Sequence, residues 1–325
     1  MSFKHHPSIS VVVPAFNVER YIEEAVDSLL AQTEKFHEII VVNDGSTDGT
    51  AERLARYVDV DAVHIVHTAN QGLGPARNEG LKHASGDFVY FMDSDDFILP
   101  HFVTTISTII RKNPSIDLIF YSGEIFFDPD YPAEGRADVR RDEFRRRVSG
   151  LYPSGLEAAA ALLATRLFSP SACLYVSRRS LWNSELRFKP IVHEDDDIIT
   201  RLCARARVSC ITRSALYMRR IRAGSIMHAR TSRRNAAGYF CALTSTWQVY
   251  ADTLHARHRP VLLRQFHAQA WQYLHACRRA GIVPTFHELL FLLRRLRHIP
   301  RAELLRTLLP LTLRQWIRQG KRLLA

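Results

Sequence analysis

Five apolar runs, each of strand length, recur through the first 121 residues with helical stripes between them. Ile9–Val13 is a β-branched run closed by Pro14, and Glu38–Val42, Ala62–Val66, Phe88–Met92 and Leu118–Tyr121 repeat its character. Between the first two, residues 18–32 place Tyr21, Ile22, Ala25, Val26, Leu29 and Leu30 on one face at helical spacing. Shorter helices are predicted over Thr50–Tyr57, Pro75–His83 and Pro100–Arg111. Strand and helix in steady alternation predict a parallel sheet with right-handed crossovers, a Rossmann-like α/β layer. Near-continuous apolar strands belong to a sheet covered on both faces, which leaves the C-terminal edge as the place for ligands.

At that edge the fourth run ends in Asp93-Ser94-Asp95-Asp96. Carboxylates crowded at a strand end repel one another, and a divalent cation is the usual remedy. Asp93 and Asp95 alternate, so they can face one point, which suits Mg2+ or Mn2+ shared with a diphosphate. The same letters also fit a solvated acidic turn capping the helix near Pro100. The second run ends in Asn43-Asp44-Gly45-Ser46-Thr47-Asp48-Gly49, a turn leading into a helix, where Asp44 and Asp48 have capping as their simpler use. Arg77 on its short helix reads equally as a surface charge, and Asn17 as an N-cap.

Beyond Asp128 the pattern changes. Pro129–Arg147 is a proline-containing, then arginine-rich excursion, expected as a mobile loop. Helices are predicted over Leu156–Thr165 and Asp195–Ala206, with strand-like stretches near Leu174 and over Val208–Leu216. From Thr231 onward the reading is almost wholly helical. A second acidic cluster, Glu194-Asp195-Asp196-Asp197, opens the helix that carries Ile198, Ile199 and Leu202, where the helix dipole alone would favour it.

Net charge divides the chain. Residues 1–124 hold 9 Lys and Arg against 18 Asp and Glu, a balance of −9, so the remainder holds 35 against 15, a balance of +20. The acidic part suits a metal and nucleotide, and the basic part an anionic surface or substrate. The polar start of the chain does not read as a secretory signal, and no window reaches the ~20 apolar residues of a membrane span. The five cysteines show no paired spacing and fit reduced thiols in the cytoplasm.

Four patches occur in one order: Val11-Val12-Val13-Pro14-Ala15-Phe16-Asn17, Val41 through Thr50, Asn70 through Gly80, and the Asp93–Asp96 box. In this the chain resembles the family 2 glycosyltransferases of GT-A fold, over roughly residues 8–100. The resemblance implies a GT-A domain over 1–228, with a donor half to about 125 and an acceptor half over 126–228, and a mainly helical region over 229–325. It implies that Pro14, Ala15 and Asn17 line the nucleotide pocket, that Asp44 accepts from the base, and that Arg77 holds base or diphosphate. Asp95 would be the direct ligand of Mg2+ or Mn2+, Asp93 would face ribose and metal, and Asp96 would stand behind them or toward the acceptor. Asp195 matches the family's general base, with Glu194 and Asp196 as alternatives in the acidic run. Arg219 through His228 resembles the segment in which an arginine, here Arg222, and the backbone of Ser225 hold the diphosphate. His228 would complete the metal shell, although a lone histidine in a basic loop is more often simply exposed.

The implied activity is inverting transfer from a nucleotide-sugar, of the UDP class, to a saccharide or lipid-linked saccharide hydroxyl in surface polysaccharide synthesis. Between Gly281 and Ala325 nine basic residues alternate with leucines, Trp316 and Ile317 against Glu288 and Glu303 alone. Such a segment is expected to lie on the anionic inner face of the membrane, in part packed on the protein. No nucleic-acid partner is expected. The rivals are a metal-dependent nucleotidyltransferase, which would call for a glycine-rich phosphate loop that Pro14–Asn17 lacks, and a catalytically silent membrane adaptor.

Overall fold

The structure, a computed structural model, describes residues 6–137, 139–165, 167–222 and 231–295. The chain forms two units: Met1–Pro190 with Glu194–Ala229, and Ile191–His193 with Arg230–Ala325.

The first unit is built on a sheet whose described strands are β1 (Ile9–Ala15), β2 (Glu38–Asp44), β3 (Val63–Thr68), β4 (Phe88–Phe91), β5 (Phe97–Ile98), β6 (Leu118–Phe127), β7 (Gly150–Tyr152), β8 (Tyr175–Arg178) and β9 (Ser209–Ile221). Their order is β3-β2-β1-β4-β8-β6-β9-β5, with β7 also on β9. The first four pair in parallel, as the alternation predicts. Beyond β4 the sheet is mixed, because β8 enters antiparallel between β4 and β6. Two antiparallel steps restore direction, so β6 runs with β4. The C-terminal ends of β1, β2, β4 and β6 therefore lie along one edge.

Helices α1 (Ile22–Leu30), α2 (Thr50–Leu54), α3 (Leu73–His83), α4 (Phe102–Lys112), α5 (Gly155–Ala164) and α6 (Glu194–Arg205) accompany the sheet. In α1 the residues Ile22, Ala25, Val26 and Leu29 of the sequence stripe are the buried ones. One apolar core joins them to alternate residues of β1, β2 and β4 and to α4. A Cβ at Gly80 would fall 2.3 Å from Val12 Cγ1, so glycine is what lets α3 approach β1.

Two expectations are revised. β1 does not stop at Pro14 but runs through it to Ala15. Pro14 has the parity of Val12, whose carbonyl accepts from Met92 just beyond β4, and β4 pairs only as far as Val12, so the missing N–H faces no strand. Within the arginine-rich excursion Arg146 is buried, its Nε on the Tyr121 carbonyl at 3.1 Å and its Nη1 on that of Leu167 at 2.8 Å.

In the second unit α7 (Arg233–Asp252), α8 (Arg259–Ala280) and α9 (Phe286–Arg295) share an apolar core of Leu243, Phe266, Tyr273 and Leu292 among others. Val283, Phe286 and Leu293 are exposed. None of the described helices is long and apolar enough to cross a membrane. All five cysteines are free thiols.

Candidate active site

The ends of β1 and β2 are laced together by side chains from the two loops that follow them. Asn17, at a φ of 51°, accepts from the Thr47 amide at 2.8 Å and donates its own amide to Ser46 Oγ at 3.1 Å. Asp48 accepts from the Glu19 amide and from Thr50, whose hydroxyl takes the Val18 amide. Pro14 and Ala15 end β1 beside this lacing, with Ala15 paired to Asn43. Asp44 is buried, and its two oxygens accept from Thr68 Oγ1 at 3.0 Å and from the amides of Gln71 and Gly72 at 3.0 and 2.8 Å. The carboxylate thus fixes the loop that opens α3. Gly45 follows at a φ of 70°, where a Cβ would meet the Asn70 amide at 2.7 Å.

Helix α3 brings Arg77 to the end of β4. Its guanidinium is 2% exposed, donates Nη1 to Glu194 Oε1 at 2.6 Å and Nη2 to Asp93 Oδ1 at 2.9 Å, and lies 5.3 Å from the Phe188 ring centre. One arginine therefore joins the strand-end box to the first residue of α6. Burial works against the Arg77 charge, but the Asp93 and Glu194 carboxylates outweigh it and hold its pKa above the ordinary value. For Glu194 burial is the largest influence; with Asp195 beside it, burial exceeds the pull of Arg77 and pushes the carboxyl up to about 7.

The three carboxylates after β4 differ in setting. Asp96 is buried, takes the Tyr217 hydroxyl on one oxygen and the Arg220 amide at 2.6 Å on the other, and is pushed well above the usual range by burial and by Asp95 and Asp93. It ties the box to β9. Asp93 and Asp95 keep 31% and 22% of their side-chain surface. Asp95 Oδ2 accepts from Arg222 Nε at 2.7 Å. The second oxygens, Asp93 Oδ2 and Asp95 Oδ1, take no hydrogen bond among the described residues. That pair of hard oxygens fits Mg2+ or Mn2+ that draws the rest of its shell from phosphate and water. No cluster of three or more His, Cys, Asp or Glu is placed to hold an ion among the described residues. Ser225 and His228 lie outside the described residues.

The four acids of α6 also differ. Asp197 is fully buried between Lys189 at 2.8 Å and Arg201 at 2.5 Å. Asp196 is buried as well, and burial pushes its carboxyl well up. Asp195 is half-buried, and the only hydrogen bond to its carboxylate from a described residue is the Asp196 amide at 3.0 Å. Sequence reasoning overlooked Asn78. Its amide clamps Phe188 by both backbone groups, Nδ2 on the carbonyl at 2.7 Å and Oδ1 under the amide at 3.0 Å. Residue spacing carries no signal for a bond across 110 positions.

Residues 10–159 match the family described as Glycosyl transferase family 2. Uncharacterized glycosyltransferase EpsJ of Bacillus subtilis strain 168 is 47% identical over 93 residues, 28% of this chain and 27% of that protein. Glycosyltransferase GlyA of Streptococcus pneumoniae serotype 4 is 44% identical over 99 residues, 30% of this chain and 14% of its own length. The chain thus spans about a quarter or less of these relatives. Staphylococcus aureus TarS 1–349 in complex with UDP-GlcNAc superposes with a TM-score of 0.64 at 23% identity, over 83% of this chain and 79% of that one. Mannosyltransferase PcManGT from Pyrobaculum calidifontis, in complex with GDP-Man and Mn2+, gives 0.56 at 17% identity, over 90% and 80%. At such identities the likeness is one of fold.

Proposed function

We propose that this chain, whose residues 10–159 match the family described as Glycosyl transferase family 2, transfers a sugar from a UDP-activated donor to a saccharide hydroxyl with inversion at the anomeric carbon. The observation that carries this reading is the bridge Asp93–Arg77–Glu194. It draws the strand-end box and the N-terminus of α6 to one guanidinium, with Asp195 as the neighbouring acid that is still partly exposed.

Asp195 is assigned as general base. It accepts the proton of the acceptor hydroxyl as that oxygen bonds to the anomeric carbon and the bond to the diphosphate breaks on the opposite face. Glu194 is committed to Arg77, and Asp196 and Asp197 are buried, which leaves Asp195 as the carboxylate with reach. Pro14, Ala15 and Asn17 with Asp44 would form the floor for the nucleoside. Arg77 and Arg222, with Ser225, would bear on the diphosphate. A divalent cation held by Asp93 and Asp95, with His228 as a further ligand, would neutralise charge on the departing diphosphate. The acceptor is assigned as a surface polysaccharide or lipid-linked saccharide, met at the cytoplasmic membrane face through the basic C-terminal segment.

The test is Asp195→Asn with a panel of nucleotide-sugars. Calorimetric donor binding should stay within about twofold, while transfer falls by at least the ~100-fold that general-base catalysis contributes. Turnover close to that of the native chain would move the base elsewhere. Asp95→Ala should abolish Mn2+-dependent UDP binding, and unchanged binding would remove the cation from Asp95.

A further inference from the structure

Two arginines stand on the carboxylates at the end of β4, and they are held very differently. Arg77 is fixed from three sides, by Asp93, by Glu194 and by the Phe188 ring. Arg222 makes one guanidinium hydrogen bond to a described residue, Nε to Asp95 Oδ2 at 2.7 Å, and otherwise rests 5.0 Å from the Tyr21 ring centre. Its side chain is 19% exposed and that of Asp95 22%, whereas Arg77 is nearly inaccessible. The strand beneath Arg222 is secured independently, by the Arg220 amide on Asp96 and Arg220 Nε on the Asp95 carbonyl at 2.8 Å. Rotating the Arg222 side chain therefore disturbs no backbone bond among the described residues.

From this contrast we infer that Arg222 is the placeholder cation of the box: it neutralises Asp95 while no ion is bound there and passes to the nucleoside diphosphate when a divalent ion takes Asp95, while Arg77 stays in place. The inference rests on the cation reading of Asp93 and Asp95 and specifies how the site loads. A divalent ion on the second oxygens of Asp93 and Asp95 would repel the guanidinium on each, and the more weakly held of the two arginines yields. Arg222 is the one that can yield, because its ion pair keeps about a fifth of its side-chain surface in solvent and holds it by a single hydrogen bond to a described residue. Releasing Arg77 would strand Glu194, a buried carboxylate, without its cation. The displaced guanidinium has a fork that matches phosphate oxygens, so a diphosphate arriving with the ion gives it a new partner. Ion alone must then bind weakly and ion with diphosphate tightly, and the coupling is reciprocal.

The test measures Mn2+ affinity by electron paramagnetic resonance of free Mn2+, with and without UDP, in the full chain and in Arg222→Gln, Arg222→Lys and Asp95→Asn. Arg222→Gln should tighten Mn2+ binding without UDP by about fivefold, the upper size of a partly exposed ion pair. It should also cut the tightening that UDP confers by a similar factor or more. Arg222→Lys should restore part of the coupling, because charge remains while the fork is lost. Unchanged or weaker Mn2+ binding in Arg222→Gln, with native coupling to UDP, would overturn the exchange. Failure of the native chain to bind Mn2+ even with UDP would overturn the cation reading, and the exchange with it. Asp95→Asn should abolish binding in every arm, and Mn2+ bound tightly by that variant would place the ion away from the box and overturn the exchange.

Discussion

Glu194 and Asp195 are consecutive carboxylates with opposite surroundings, and that difference makes a pH signature. Glu194 is buried against Arg77 and its carboxyl is pushed up to about 7 from an ordinary 4.5, burial being the largest cause. Between pH 4.5 and 7 the folded chain holds a proton at Glu194 that the unfolded chain has released. Native binding of that extra proton means the contribution is full below pH 4.5 and is lost as pH rises through 7. The effect should be on the order of 1–3 kcal/mol, and Glu194→Gln should abolish it. Thermal midpoints of both chains across pH 5–8 check this: the native curve should fall more steeply over that range. Parallel curves would show that Glu194 ionises as an ordinary surface acid does.

At the scale of elements, α3 and the segment before α6 are held together by the side chain of Asn78. Because Phe188 also packs against Phe91 and Trp182 at 5.1 and 5.4 Å, its backbone is out of reach of water that might replace a lost bond. Asn78→Ala strands one buried N–H and one carbonyl, at about 1–3 kcal/mol each. Urea unfolding should show a loss of ~2–6 kcal/mol, and Arg77 should lose its ring support along with it. Asn78→Asp, which keeps the acceptor, should recover part of the loss, and equal stability of all three chains would show that the clamp holds nothing. A bond such as this is one that sequence cannot display. The parallel half of the sheet was legible because β1, β2 and β4 are buried on both faces and so spell continuous apolar runs. The acids at their ends were legible because chain direction puts strand termini on one edge. In the mixed half strands were read over Leu118–Tyr121, near Leu174 and over Val208–Leu216, close to β6, β8 and β9, but their pairing was not: β5 has two residues, β8 slips between β4 and β6, and β6 carries a register shift between Phe120 and Gly123. None of these leaves a periodic trace. Arg222 was read as a diphosphate ligand, but that Asp95 holds it depends on how β9 passes the box.

On the scale of the molecule, part of the charge division is internal. Arg220 pairs with Glu24, Arg222 with Asp95, Arg178 with Asp117, and Arg145 with Glu124, so basic residues of the later chain neutralise acids of the earlier. The helical unit has few acids of its own. Over residues 231–295 it holds nine basic residues, Arg233, Arg234, Arg257, Arg259, Arg264, Arg278, Arg279, Arg294 and Arg295, against Asp252 and Glu288. Val283, Phe286 and Leu293 are exposed near its end, and the sequence beyond adds Arg314, Arg318, Lys321 and Arg322 with Trp316. Exposed apolar side chains in a unit with an excess of arginine suit an anionic lipid surface. The full chain should therefore sediment with phosphatidylglycerol vesicles, weakly with neutral ones, and less as salt rises. Ending the chain before Leu311 removes four basic residues at ~1 kcal/mol each near an anionic surface, so vesicle affinity should drop by roughly a thousandfold. Full retention of the shortened chain on anionic vesicles would show that the last fifteen residues have no part in lipid contact, and would confine any such role to the helices before them.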